Sequence, residues 1–356
     1  MEISITKADK LKDRPSDTSL GFGTIFTDHM FNMDYDPEKG WHNPRIEPYG
    51  PINLSPATMA LHYGQAIFEG LKAYRTADGG VQLFRPMDNF KRMNRSAEML
   101  CIPALDEQFL MKALLKIVDM ERAWVPSAAG TSLYIRPFIF ATDPYIGLKA
   151  SSTYRFCMIL CPVGAYYPEG FNPVKIWVTR DYVRAVRGGV GQAKTAGNYA
   201  ASLYATELAH KDGYTQVLWL DGVELKYVEE VGSMNIFFKL GDEIVTPQLN
   251  GSILSGVTRD SVITMAKSWG VKVTERRIAI DEVFEAHAKG DLKEVFGSGT
   301  AAVISPVGNI KYHEKVIDIS DGKVGPLASR LFNELMDIQY GKAEDKFGWI
   351  VPVKPA

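Results

Sequence analysis

The chain has 356 residues, 46% of them hydrophobic and 23% charged, with 40 lysines and arginines against 42 acids. These are globular values, and a formal charge of −2 argues against a nucleic-acid binder or a polybasic membrane protein. At roughly 150 residues per domain the length predicts two domains and a core that needs no disulfide or metal staples.

The amino-terminal stretch MEISITKADKLKDRPSD is polar, without the apolar core of a signal peptide. No apolar run approaches about 18 residues, so a cytoplasmic protein without a transmembrane helix is expected. Residues 20–86 read as β-rich. Within them Leu71 to Tyr74 and Val81 to Phe84 are strands joined at Asp78-Gly79-Gly80, which supplies the positive φ of a tight hairpin. Asp88 to Leu100 is a helix with Phe90, Met93, Ala97 and Leu100 on one face, Asp88 as its N-cap and Pro103 beyond its end. Phe109 to Trp124 is a second amphipathic helix, and Leu133 to Ala141 and Tyr154 to Val163 are strands.

Cys157 and Cys161 fall on the last of these strands, about 13 Å apart by strand rise. They can then neither bridge nor share a metal, and core packing is expected for them and for Cys101. Tyr166 to Pro173 carries two prolines and a glycine and is the linker candidate. Beyond it come the strand Val174 to Thr179, the helix Asn198 to His210, the strand Thr215 to Leu220 and a strand pair turning at Gly241-Asp242. Helices follow over Arg259 to Trp269, with Gly270 at its end, Asp281 to Ala288 and Pro326 to Tyr340. Strands and helices mix throughout, which gives an α/β or α+β protein in two lobes.

The segment Gly188-Gly189-Val190-Gly191-Gln192-Ala193-Lys194-Thr195-Ala196-Gly197 surrounds one lysine with four glycines. Three readings are open. It is a solvated surface loop; or a phosphate-binding loop in which Ala193 replaces the required glycine and Asp221 imitates the second motif; or a lysine that carries pyridoxal phosphate through its amine. The last demands a carboxylate for the pyridine nitrogen and donors for the phosphate. Glu230 is the candidate acid. Ser255-Gly256-Val257-Thr258, with Ser255 as helix cap, and Gly297-Ser298-Gly299-Thr300-Ala301 are the candidate anion sites. Arg92 lies off the apolar stripe of its helix and alone reads as solvated. Arg136, inside an apolar strand, needs an acidic partner or an anionic substrate. The six histidines show no metal-ligand spacing, and no metal is expected.

These tracts, with Phe26-Thr27-Asp28-His29-Met30, Phe68-Glu69-Gly70-Leu71-Lys72-Ala73-Tyr74, Leu83-Phe84-Arg85-Pro86, Tyr134-Ile135-Arg136-Pro137 and Glu230-Val231-Gly232-Ser233-Met234-Asn235, follow one another in a familiar order. The chain resembles the fold-type IV pyridoxal-phosphate enzymes, most closely the branched-chain amino acid aminotransferases, from about Gly21 to near the carboxy terminus. The resemblance implies a D-amino acid aminotransferase-like fold, with a small amino-terminal α/β domain over 1–167, a linker over 168–177 and a large pseudo-barrel domain over 178–356.

It also implies roles. Lys194 carries the cofactor, pyridoxal 5'-phosphate, and moves the α-proton. Glu230 faces the pyridine nitrogen and Tyr199 the phenolic oxygen. Arg92, Val257, Thr258 and Thr300 hold the phosphate. Tyr63, Tyr134, Arg136, Ser233 and Ala301 surround the substrate carboxylates, and Phe22 and Phe68 wall the apolar pocket. The implied reaction is ping-pong transamination of L-leucine, L-isoleucine and L-valine with 2-oxoglutarate, in a homodimer. A D-amino acid aminotransferase or aminodeoxychorismate lyase is the alternative within the fold; a P-loop nucleotidase and a non-catalytic scaffold lie outside it. Mammalian members carry Cys-x-x-Cys after the Thr-Ala motif. Here Ala302 and Ser305 stand in those places, so thiol redox control is not expected, and Ser233 keeps the hydroxyl of the threonine found in some members.

Overall fold

The structure, a computed structural model, describes residues 1–164 and 171–355. It divides into two compact units: Met1–Tyr166 with Ala193–Ala196 and Met336–Ala356, and Tyr167–Gln192 with Gly197–Leu335. The segment 168–170 of the expected linker lies outside the described residues, and 174–177 belong to a strand.

The first unit is built on a nine-stranded sheet. In chain order its strands are β1 (Ser4–Ile5), β2 (His29–Asp36), β3 (Gly40–Pro48), β4 (Ala66–Phe68), β5 (Leu71–Arg75), β6 (Val81–Phe84), β7 (Ser132–Ala141) and β8 (Tyr154–Val163). The carboxy-terminal strand Ile350–Pro352 completes it. The spatial order is β1-β3-β2-β8-β7-β5-β6 and then Ile350–Pro352, with β4 also on β7. β1 and β3 are parallel; the other pairs are antiparallel. Three helices accompany the sheet: α1 (Met59–Tyr63), α2 (Pro86–Met99) and α3 (Glu107–Met120). Phe90, Met93 and Ala97 of α2 and Leu110, Leu114 and Ile117 of α3 share one buried cluster with Phe31, Leu83, Ile135 and Phe156 of the sheet.

Asp88 is not the N-cap of α2. The helix starts at Pro86, whose fixed φ and missing N–H suit the first helical position, and Arg85 precedes it in the left-handed region at φ 50°. Asp88 sits in the first turn and pairs with Arg85 (Nε–Oδ2 2.7 Å). The second helix stops at Met120, and Arg122–Trp124 continues as a 3-10 turn. Asp106 caps its start, accepting from the N–H groups of Gln108 and Phe109. Cys157 and Cys161 are buried in β8 as free thiols, and burial pushes them up to about 12 and about 11.

The second unit holds β9 (Val174–Val178), α4 (Ala196–Lys211), β10 (Gln216–Leu220), β11 (Val228–Val231), β12 (Met234–Leu240), β13 (Glu243–Thr246), α5 (Val257–Ser268), β14 (Lys272–Glu275), α6 (Ile280–Ala288), β15 (Leu292–Gly299), β16 (Val303–Tyr312) and β17 (Lys315–Asp318). The helix α7 (Pro326–Gln339) begins in it. Six strands pair in the order β11-β10-β9-β16-β15-β12, and β11 pairs back onto β12. That last pairing closes the sheet into a barrel, the pseudo-barrel that the resemblance implies. β13 and β14 extend it from β12, and β17 from β16. Phe237 and Phe296, cross-strand partners on β12 and β15, stack at 5.2 Å in its buried core.

Two stretches of the expected carboxy-terminal domain belong to the first unit. Thr195 makes an antiparallel bridge with Ile67, which binds 193–196 to β4. The end of the chain is held by pairing of Ile350–Pro352 with β6.

Candidate active site

The lysine segment is fixed by its backbone. Phe68 N–H donates to the Lys194 carbonyl (3.0 Å), Lys194 N–H donates to Ser96 Oγ (2.9 Å), and Thr195 Oγ1 donates to the Ala66 carbonyl (2.7 Å). The Lys194 amine lies over the Phe68 ring, 4.8 Å from its centroid. Next in the chain to Phe68 is a carboxylate that the sequence reading left without a role. Glu69 is wholly buried and takes Arg92 in a two-pronged pair, Nε–Oε1 2.7 Å and Nη2–Oε2 2.8 Å. Asn89 Nδ2 adds a bond at 2.9 Å. Burial pushes the Glu69 carboxyl up, but the Arg92 guanidinium, and after it the Lys194 charge, outweigh this and hold it below the ordinary carboxylate range. Arg92 is therefore buried rather than solvated.

Strand alternation places Tyr134 and Arg136 on one face of β7. Arg136 Nη2 donates to the Tyr134 hydroxyl at 3.0 Å, and its guanidinium lies 4.7 Å from the centroid of Phe68. Among the described residues Arg136 forms no ion pair, and its buried Nε has no hydrogen-bond partner. Among the described residues no structural ion pair explains this arginine away. Phe22 meets Tyr134 edge-on at 5.1 Å. Gly70 makes room, since a Cβ there would run into the Tyr134 hydroxyl. Lys72, the cross-strand partner of Tyr134, is buried, and burial pushes its amine down to about 8. Tyr63 is exposed at the end of α1, with its hydroxyl on the Ile146 carbonyl.

In the second unit Glu230 is buried on β11 and pairs with Arg184 (Oε2–Nε 2.5 Å). Its Oε1 accepts from Leu254 N–H (3.1 Å) and Asn235 Nδ2 (3.2 Å). Ser255 does not cap α5. The N-cap is Gly256, with no side-chain bond, so Val257 and Thr258 are the first two helical residues, where N–H groups have no intrahelical acceptor. Gly256 is packed so that a Cβ would strike Asn235 Oδ1. Ser233 follows Gly232 (φ 56°) in the β11–β12 turn, and Thr300 and Ala301 form the β15–β16 turn. The register Asn235↔Ser298 sets these two turns at one end of the barrel. Tyr199 is half-buried in the first turn of α4.

The nucleotide-loop reading fails on this geometry. Lys194 is bound to β4, and Asp221 spends its carboxylate on the N–H groups of Val223, Glu224, Lys226 and Tyr227. Among the described residues no three His, Cys, Asp or Glu side chains group to hold a metal, and no helix is long and apolar enough to cross a membrane.

The family model for Amino-transferase class IV matches residues 66–310. The chain is 57% identical to branched-chain-amino-acid transaminase 1 of Bacillus subtilis (strain 168), over 96% of each chain. It is 55% identical to branched-chain-amino-acid aminotransferase 2 of the same organism, over 99% of this chain and 96% of that one. A solved branched-chain amino acid aminotransferase from T.th., complexed with N-(5'-phosphopyridoxyl)-L-glutamate, superposes with a TM-score of 0.74 at 27% identity, covering 94% of this chain and 99% of that one. The chain belongs to the class IV aminotransferases. Within that family it is an enzyme of the branched-chain-amino-acid aminotransferase group.

Proposed function

We propose that the enzyme moves the amino group of L-leucine, L-isoleucine or L-valine to 2-oxoglutarate, with pyridoxal 5'-phosphate as cofactor. The observation that carries the substrate reading is Arg136: a buried, unpaired Nε beside the Phe68 ring and the Tyr134 hydroxyl. An apolar wall with one guanidinium accepts a branched aliphatic side chain and also the distal carboxylate of glutamate. The solved complex with phosphopyridoxyl-glutamate supports the second half.

The residues present fit the cofactor chemically: a lysine amine over an aromatic ring, a buried carboxylate, and a helix start whose first N–H groups suit an anion. When bound, the cofactor supplies a carbonyl carbon for an amine and a ring that draws electrons from the substrate α-carbon. Lys194 Nζ is the group proposed to hold it, and the same amine would take the substrate α-proton and return it. The Glu230 carboxylate keeps a proton on the ring nitrogen, and the Tyr199 hydroxyl bonds the phenolic oxygen. Arg92, Thr300 and the N–H groups of Val257 and Thr258 hold the phosphate. Tyr134, Arg136, Ser233 and Ala301 orient carboxylates, with Phe22 and Phe68 around the aliphatic group. Tyr63, exposed at the end of α1, is proposed to serve the pocket of a second copy in a homodimer. Free thiols without a disulfide among the described residues support a cytoplasmic setting.

The test is the visible spectrum of the purified protein. It should show a yellow band that L-leucine alone converts, and Lys194→Ala should lack it. A band that ignores L-leucine but answers a D-amino acid would overturn the substrate reading. In Arg136→Leu the 2-oxoglutarate half-reaction should slow about 100-fold while the L-leucine half-reaction changes far less, as expected when a buried charge partner is lost.

A further inference from the structure

Glu230 can serve a ring nitrogen only if its carboxylate keeps one orientation, and the residue that fixes it lies outside every motif of the sequence. Arg184, in the loop between β9 and α4, is 9% exposed. Its Nε meets Glu230 Oε2 at 2.5 Å, and its Nη2 donates to the carbonyls of Gly191 (3.1 Å) and Ser252 (2.5 Å). One planar fork thus joins three separated stretches: β11 with its acid, the glycine-rich loop, and the turn before α5. The approach is close. A Cβ on Gly191 would enter the Ser252 carbonyl and the Ala185 methyl. The opposite oxygen of Glu230 is gripped by Leu254 N–H and Asn235 Nδ2, and Asn235 Nδ2 also bonds the Leu254 carbonyl at 2.9 Å.

We infer that Arg184 is a positioning residue for the reaction. It holds Glu230 ionised and aimed, and sets that acid in register with the glycine-rich loop and the turn that begins α5. The inference rests on the reading of Glu230 given above. Arg184 acts through Glu230 rather than on the substrate, because its contacts are a carboxylate and two backbone carbonyls. Removing the guanidinium leaves a buried acid without its cation, which favours the protonated form and frees the side chain to turn. A lysine supplies charge without the planar group that pairs with the acid while donating to both carbonyls.

The experiment is a double-mutant cycle on Arg184→Gln and Glu230→Gln, with two readouts. One is the dissociation constant of pyridoxal phosphate from titration of the apoprotein by fluorescence; the other is the rate of the L-leucine half-reaction. Arg184→Gln should weaken cofactor binding about tenfold and slow the half-reaction about 100-fold, yet in the Glu230→Gln background each loss should shrink to within about threefold, because residues acting as a unit are not additive. Equal losses in both backgrounds would make Arg184 a structural clamp only and overturn the inference. If Glu230→Gln by itself changes neither readout, the reading of Glu230 falls and takes the inference with it. Arg184→Lys, run in both backgrounds with circular dichroism as a folding control, keeps the test decisive if the glutamine variant does not fold. It should retain more of both readouts than other replacements while Glu230 is present, and lose that advantage in the Glu230→Gln background. An advantage kept in both backgrounds would count against the inference.

Discussion

Each unit buries an arginine–glutamate pair, and the two are built differently. In the first, Arg92 on α2 grips Glu69 with two parallel bonds, and the acid sits just ahead of β5 with no exposed surface. The pair ties a helix to the sheet within one core. In the second, Arg184 faces Glu230 as an ion pair and donates from Nη2 to two loop carbonyls. The first pair is a closed bolt between helix and sheet. The second is a junction at which loops meet. Loss of the bolt should be felt in the stability of the apoprotein as well as in the phosphate grip proposed for Arg92, and loss of the junction mainly as alignment.

The largest effect expected from breaking this contrast is Glu69→Gln. It leaves Arg92 buried without its anion and should cost about 3 to 5 kcal/mol in urea unfolding of the apoprotein. Replacing both partners by apolar residues of similar volume should recover much of that loss, whereas at the Arg184 junction it should not recover activity. A smaller change, on the order of 3 kcal/mol, is expected at Lys72, where burial lowers the amine from 10.5 to about 8. The unfolded chain then binds more protons between about pH 8 and 10.5. Wild-type stability should therefore rise with pH across that window relative to Lys72→Met, and the variant should be the more stable at pH 7. A flat difference between the two proteins would show that Lys72 stays charged in the fold. The smallest effect is at Asn235→Ala, which removes one of the donors to Glu230. A loss of about 1 kcal/mol is expected, with a larger relative loss of cofactor affinity than of melting temperature.

The same two pairs mark how far the amino-acid sequence could be read. Long periodic segments were legible: β8 runs over the residues its apolar run predicts, and α4, α5 and α7 fall within two residues of expectation. Short elements were not. β1 has two residues and α1 five, too few for a periodic signal, and each is held by contacts with distant parts of the chain. Caps misled where backbone geometry replaced a side chain, as at Arg85 before Pro86 and Gly256 before Val257. At the site, Glu230 stood out as an acid in an apolar, glycine-containing stretch and Arg92 was named by resemblance, but Glu69 and Arg184 were given no role. A charged residue carries no mark of its partner when that partner lies far along the chain and only the fold brings them together. Arg136 was the exception, because a cation inside an apolar strand is anomalous without any knowledge of its neighbours.

The sheet of the first unit has one further consequence. It ends on a strand of two residues at one side and of three at the other, the latter closing on Pro352. Neither border offers a long row of backbone donors and acceptors, and the proline has no N–H to give. Another chain therefore finds little there to extend by strand addition. Copies of this chain that met at these two borders would therefore meet on side chains rather than along a long backbone ladder.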